Sequence, residues 1–166
     1  MSQAKKRRVA FTLVELVVVI VIIGILAAIA IPRLSRGSAG ANQSALAADL
    51  AMVRNAINLY AAEHNNSFPG PDASGFVNEL TLYSSVAGAT NAAKSSTYKY
   101  GPYLVALPAC PVGENAGSSD VLIDSTNSPP TPVTTGGEGW VYNPNTGEFL
   151  ANTTSTDDVG TPFNQY

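Results

Sequence analysis

From Phe11 to Ile31 the chain is apolar at every position except Thr12 and Glu15. Those 21 residues show no polar face, so they do not form the amphipathic helix of a soluble domain. As a helix rising about 1.5 Å per residue they span roughly 31 Å, close to the ~30 Å hydrocarbon core of a bilayer. Glu15 is the single charge within the run. A carboxylate at bilayer depth costs roughly 2–4 kcal/mol, so Glu15 calls for a partner. Pro32, Gly37 and Gly40 then weaken the helix. From Ala41 the pattern changes: Leu46, Leu50, Val53, Ile57 and Tyr60 recur at spacings of 4, 3, 4 and 3, one apolar face of an amphipathic helix. The pattern predicts one long helix from Thr12 to His64, soft between Gly24 and Gly40. Its second half packs on a globular domain.

Asn65 to Pro71 is dense in turn residues and ends that helix. A short helix is predicted over Ser74–Tyr83, with Phe76, Leu80 and Tyr83 on one face. The stretch from there to Tyr98 reads as loop. Val112 to Gly139 is rich in Gly, Ser, Thr and Pro, with Val121-Leu-Ile123 as its one strand candidate. Gly139–Asn143 and Glu148–Asn152 flank Pro144-Asn-Thr-Gly147 and predict a β-hairpin over 139–152. Pro144 suits the first turn corner and Gly147 the left-handed position. Trp140, Tyr142, Phe149 and Leu150 are expected to cover the apolar helix face. The polar tail from Thr153 reads as a returning loop.

Charge narrows the function. The chain of 166 residues carries a formal charge of −3, and four of its nine basic residues are Lys5, Lys6, Arg7 and Arg8. Without them five basic residues face twelve acidic ones, a net charge of −7. Nucleic acid is excluded as the main partner, because phosphate binding needs a basic footprint. The basic cluster before the apolar run places the N-terminus in the cytoplasm and the domain outside it. Cys110 is the single cysteine, so no intramolecular disulfide forms, and a buried thiol is expected. His64 is the single histidine and reads as a helix-end residue. No His or Cys pair suits a metal or a nucleophile, and no phosphate-binding loop is present, so an enzyme is not expected.

The order of basic leader, small Ala10, Phe11, and Glu15 at the fifth position after the Ala10–Phe11 bond resembles the class III signal of type IV pilins and type II secretion pseudopilins. The resemblance implies cleavage between Ala10 and Phe11 and methylation of the new Phe11 amine. It makes Glu15 an assembly residue and gives Gly24 and Pro32 a helix-softening role. Ala10 departs from the usual Gly before the cut. Phe68-Pro69, Tyr100-Gly-Pro-Tyr-Leu104, Leu107-Pro-Ala-Cys-Pro111 and Gly139-Trp-Val-Tyr-Asn-Pro144 are similar to tracts of the major pseudopilins. The domains implied are a leader at 1–10, a transmembrane and filament-core helix at 11–32, its amphipathic continuation at 33–64, and a periplasmic globular part at 65–166. The expected fold is α+β and pilin-like, a long N-terminal helix on a small antiparallel sheet of about three strands.

The implied function is that of a homo-oligomeric helical filament, a pseudopilus that drives export across the outer membrane. The implied partners are a prepilin peptidase, an inner-membrane platform protein, an assembly ATPase and minor pseudopilins. The chain would begin as a single-pass inner-membrane protein with a periplasmic domain. Rival readings are a surface type IV pilin for adhesion or motility and a membrane-anchored binding module that never polymerises. A secretory signal is a further rival for the N-terminus, but the run is long for one and Ala28 and Ala30 make a weak cleavage site. Major pseudopilins also carry a calcium site in a C-terminal loop. Asp157-Asp158-Val-Gly160 resembles part of it, and Asn152 would add a ligand. A solvated loop is the reading these residues favour over calcium.

Overall fold

The computed structural model of the chain describes residues 11–166, the side chains of 30–37 excepted. It divides into two compact units, Met1–Ser38 and Ala39–Tyr166. One helix, α1, runs from Leu13 to Glu63 and is assigned as helix through Gly24, Pro32 and Gly40. Gly24 has no neighbour that a Cβ would meet, so packing within the chain does not demand glycine there.

α1 stops where the sequence places turn residues. Asn65 and Asn66 take φ of 56° and 62°, the left-handed region that Asn tolerates. The Asn66 amide donates back to the Ala61 carbonyl at 2.8 Å, satisfying a carbonyl that the helix leaves open. α2 covers Ala73–Thr81 and is capped by Asp72, whose carboxylate accepts from the Gly75 amide at 2.8 Å. Phe76 and Leu80 are its buried side chains. The helix ends before Tyr83, which opens a strand instead.

Five short strands follow. β1 (Tyr83–Ser84) pairs antiparallel with β2 (Thr90–Asn91), a ribbon in the stretch expected to be loop. β3 (Val121–Ile123), β4 (Trp140–Tyr142) and β5 (Phe149–Ala151) form a sheet in that order. β4 and β5 make the expected hairpin, with Trp140 opposite Ala151 and Tyr142 opposite Phe149. Gly147 holds φ at 75° in its turn, and a Cβ there would lie 2.4 Å from the Phe68 ring. β3 runs parallel to β4, so the sheet is mixed rather than antiparallel throughout. The long excursion from Asp124 to Gly139 returns the chain to the start of β4, as a parallel neighbour requires. A short 3-10 helix, Phe163–Gln165, follows.

The core of the Ala39–Tyr166 unit is the predicted stripe of α1 against the sheet. Leu46, Leu50, Val53, Ile57 and Tyr60 are all buried, with Phe76, Leu80, Trp140, Tyr142, Phe149 and Ala151 packed among them. The Phe149 ring lies 5.0 Å from Trp140 and 5.8 Å from Phe76, centroid to centroid. The Trp140 indole N–H donates to the Pro108 carbonyl at 2.8 Å, and the Tyr142 hydroxyl to that of Pro69 at 3.0 Å, so both polar tips are satisfied. Leu150 is not part of this cover. Side chains alternate along a strand, and Leu150 sits with its cross-strand partner Val141 on the other face. The fold is α+β and pilin-like, as the sequence indicates.

Candidate functional site

The start of α1 is built by a reciprocal pair. The Thr12 amide and hydroxyl both donate to Glu15 Oε2, at 2.8 and 2.7 Å. The Glu15 amide donates back to the Thr12 hydroxyl at 3.2 Å. This is the capping box that a Thr-x-x-Glu spacing allows, and it satisfies two amides the first helical turn leaves open. The spacing stands in the sequence, yet it is easily passed over when Glu15 is read only as a charge in an apolar run. Glu15 Oε1 accepts no hydrogen bond among the described residues. Phe11 is 84 % exposed beside it.

Beyond Glu15 every large apolar side chain from Leu16 to Ile29 is exposed, none less than 43 %. An apolar surface of that length, wrapped around all sides of one helix, marks a surface made to be covered by lipid or by protein. Among the described residues no helix is long and apolar enough to cross a membrane. The described apolar side chains end at Ile29, before the end of the sequence run at Ile31. Ala10 and the basic leader lie outside the described residues, as does the side chain of Pro32.

The other candidate residues lie in the Ala39–Tyr166 unit. Asn152 is buried; its carbonyl oxygen accepts from the Val133 amide at 2.7 Å, and its amide group donates to the Val133 and Glu138 carbonyls. Asp157 Oδ1 accepts from the Val159 and Thr161 amides at 2.9 and 2.8 Å. Its Oδ2 accepts from the Tyr166 hydroxyl at 2.7 Å and from the Gln43 amide at 3.1 Å. Gln43 also reaches the Tyr166 hydroxyl. Four donors fill the roughly four acceptor positions of a carboxylate. Asp158 is exposed. Among the described residues no group of three His, Cys, Asp or Glu could hold a metal ion. Calcium takes about six to eight oxygens; here the Asp157 acceptors are turned to donors of its own loop, Tyr166 and Gln43, while Asn152 is held by Val133 and Glu138.

His64 occupies the exit of α1. Its Nδ1 donates to the Tyr60 carbonyl at 2.8 Å, and Nε2 meets the Ser84 hydroxyl at 3.0 Å. Its ring stacks on Tyr60 with centroids 3.8 Å apart. Cys110 is buried, and its thiol faces the Val112 carbonyl at 3.4 Å.

Comparison with known proteins agrees with the start of the chain and extends along it. Residues 5–31 match the family described as the prokaryotic N-terminal methylation motif. The chain is 35 % identical over 109 residues to the type II secretion system core protein G of Aeromonas hydrophila. That alignment covers 66 % of this chain and 71 % of the relative. No solved structure matches. The chain belongs to the family of the type II secretion core protein G, a pseudopilin family with a prepilin-type N-terminal signal.

Proposed function

We propose that this protein is the filament subunit of a type II secretion pseudopilus, and that its polymerisation in the periplasm drives export across the outer membrane. The observation that carries the reading is the exposed all-apolar start of α1 with one charged residue, Glu15, at its head. In this reading a prepilin peptidase cuts between Ala10 and Phe11, and the new amine is methylated. The segment 11–32 first spans the inner membrane, with its basic leader in the cytoplasm as the positive-inside rule directs. Gly24 and Pro32 then let the helix adjust as subunits leave the bilayer. A platform protein, an assembly ATPase and minor pseudopilins serve the assembly. The chain's role is structural rather than catalytic.

Glu15 gives the assembly its register. After cleavage the Phe11 amine of an incoming subunit is positive. Glu15 Oε1 of a subunit already in place is open to receive it, while Oε2 stays on Thr12. Both charges then leave the apolar core as a pair, and a subunit one step out of place strands two charges instead.

Two measurements test the proposal. The intact mass of the membrane-extracted protein should correspond to a chain that starts at a monomethylated Phe11. A chain that begins at Met1, or one cut near Ala30, overturns the processing. Deletion should abolish secretion and leave surface fibres intact. Loss of fibres or of twitching would instead make the protein a type IV pilin, and a mature protein that stays monomeric beside its ATPase would make it a binding module.

A further inference from the structure

The Ala39–Tyr166 unit has eleven acidic side chains and three basic ones, Arg54, Lys94 and Lys99, a net charge of −8. Arg54 is committed inside the unit: Nε donates to the Phe149 carbonyl at 3.1 Å and Nη2 to that of Tyr166 at 2.6 Å. Among the described residues Lys94 and Lys99 are the unit's two other cations, neither in an ion pair, and both stand on one exposed loop, 92–99. β1 holds that loop at both ends. Asn91 pairs with Tyr83 at one end, and Ser84 and Tyr100 exchange backbone hydrogen bonds of 3.0 and 3.2 Å at the other. Within the loop the Ser95 amide donates to the Tyr98 carbonyl, and the Tyr98 amide to the Ser95 hydroxyl, both at 3.1 Å. The lysines are thus presented by a pinned turn. Lys94 Nζ lies 6.0 Å from the Tyr83 ring centroid and Lys99 Nζ 4.9 Å from that of Tyr100. Neither makes an ion pair with a carboxylate among the described residues.

Several carboxylates of the unit also lack donors. Glu114, Asp124 and Asp157 are filled by hydroxyls and amides within the unit, but the side chains of Asp49, Asp120, Glu138 and Asp158 accept no hydrogen bond among the described residues. Placing copies of a unit with this charge side by side sets negative surface against negative surface, and like-charge juxtaposition opposes association. Cations grouped on one fixed loop relieve that repulsion when they meet the carboxylates of the next copy. We infer that the 92–99 loop is an intersubunit contact, in which Lys94 and Lys99 of one copy engage carboxylates on the globular surface of a second copy. The contact is head-to-tail, since loop and carboxylates are different patches of the same unit. Such a contact propagates instead of closing into a dimer. This inference rests on the polymerisation reading above.

Carbodiimide treatment of filaments sheared from cells that make the full chain tests it. The reagent joins an amine directly to a carboxylate in contact with it, and the chain cut before Phe11 has no lysines besides these two. The expected result is a ladder of covalent dimers and higher species on a denaturing gel, with junction peptides containing Lys94 or Lys99. The variant Lys94→Glu/Lys99→Glu should lower filament yield about tenfold or more, and Lys94→Gln/Lys99→Gln about threefold, with an unchanged thermal melt in both. Filaments whose junctions contain only the Phe11 amine, or a wild-type yield from the Glu variant, overturn the inference. So does a Glu variant that loses binding to phosphatidylglycerol vesicles and keeps its filaments, which would assign the loop to lipid. If the unaltered chain forms no filaments, the polymerisation reading itself fails, a result distinct from filaments without lysine junctions.

Discussion

In the proposed assembly Glu15 answers two demands with one carboxylate. Oε2 holds the Thr12 amide and hydroxyl, and Oε1 accepts no hydrogen bond among the described residues. Capping and pairing can be separated by substitution. Thr12→Ala removes the box and keeps the charge, so it should cost helix order at the first turn, on the order of 1 kcal/mol, and leave assembly largely intact. Glu15→Ala removes both. Breaking a buried pair by deleting one partner costs about 3–5 kcal/mol, so cross-linked oligomers in membranes should fall about a hundredfold or more. Membrane insertion should be unharmed or improved, because a costly group leaves the span. Glu15→Gln should fall between, since its amide oxygen still accepts from the amine. Equal losses in Thr12→Ala and Glu15→Ala would show that the cap, and not the pair, is what assembly needs.

At the scale of elements, what the sequence made legible was what local chemistry decides. The stripe Leu46, Leu50, Val53, Ile57 and Tyr60 is buried as its spacing requires, and the hairpin turns at Pro144 and Gly147. β1 and β2 were not legible, because two residues each cannot show an alternation. Their pairing comes from the Tyr100 strand end and the turn between them. The parallel partnership of β3 and β4 depends on where a long irregular excursion returns, and composition does not encode that. Leu150 looked like core by its hydrophobicity and was assigned its face by register alone. The capping box was readable in Thr12-x-x-Glu15, and the saturation of Asp157 was not, because Gln43 lies far from it in sequence.

One tie between elements should be visible in acid. The Glu114 carboxylate accepts hydroxyl bonds from Thr153 at 2.6 Å, Thr154 at 3.0 Å and Ser155 at 3.1 Å, which fastens the loop before β3 to the segment after β5. The Thr153 hydroxyl is the leading cause of a pKa pushed down to about 2. A carboxyl whose pKa is lower folded than unfolded stabilises the fold above its unfolded value, near 4.3. That contribution is lost as the pH falls through the folded value. Glu114→Gln should therefore melt below the wild type at pH 6. The gap should narrow from about pH 4.5 and close near pH 2 in melts of the detergent-solubilised chain. A gap that stays constant across that range would mean that the hydroxyl bonds do not depend on the charge.

For the whole molecule, the buried thiol has a use beyond packing. Cys110 is 1 % exposed, and burial pushes its pKa up, so in the closed fold it is both out of reach and protonated. A thiol reagent can modify it only while the core stands open. The rate of that modification counts the openings, because it follows the population of the open form when reclosing is fast. The chain thus contains a clock for its own breathing that needs no introduced label. Assembly and breathing can then be read on one sample: subunits locked in a filament should be modified at least about tenfold more slowly than free subunits in detergent. Mass spectrometry of the Cys110 peptide over time gives both rates. Equal rates would mean that neighbours in the filament leave the globular core as free to open as it is alone.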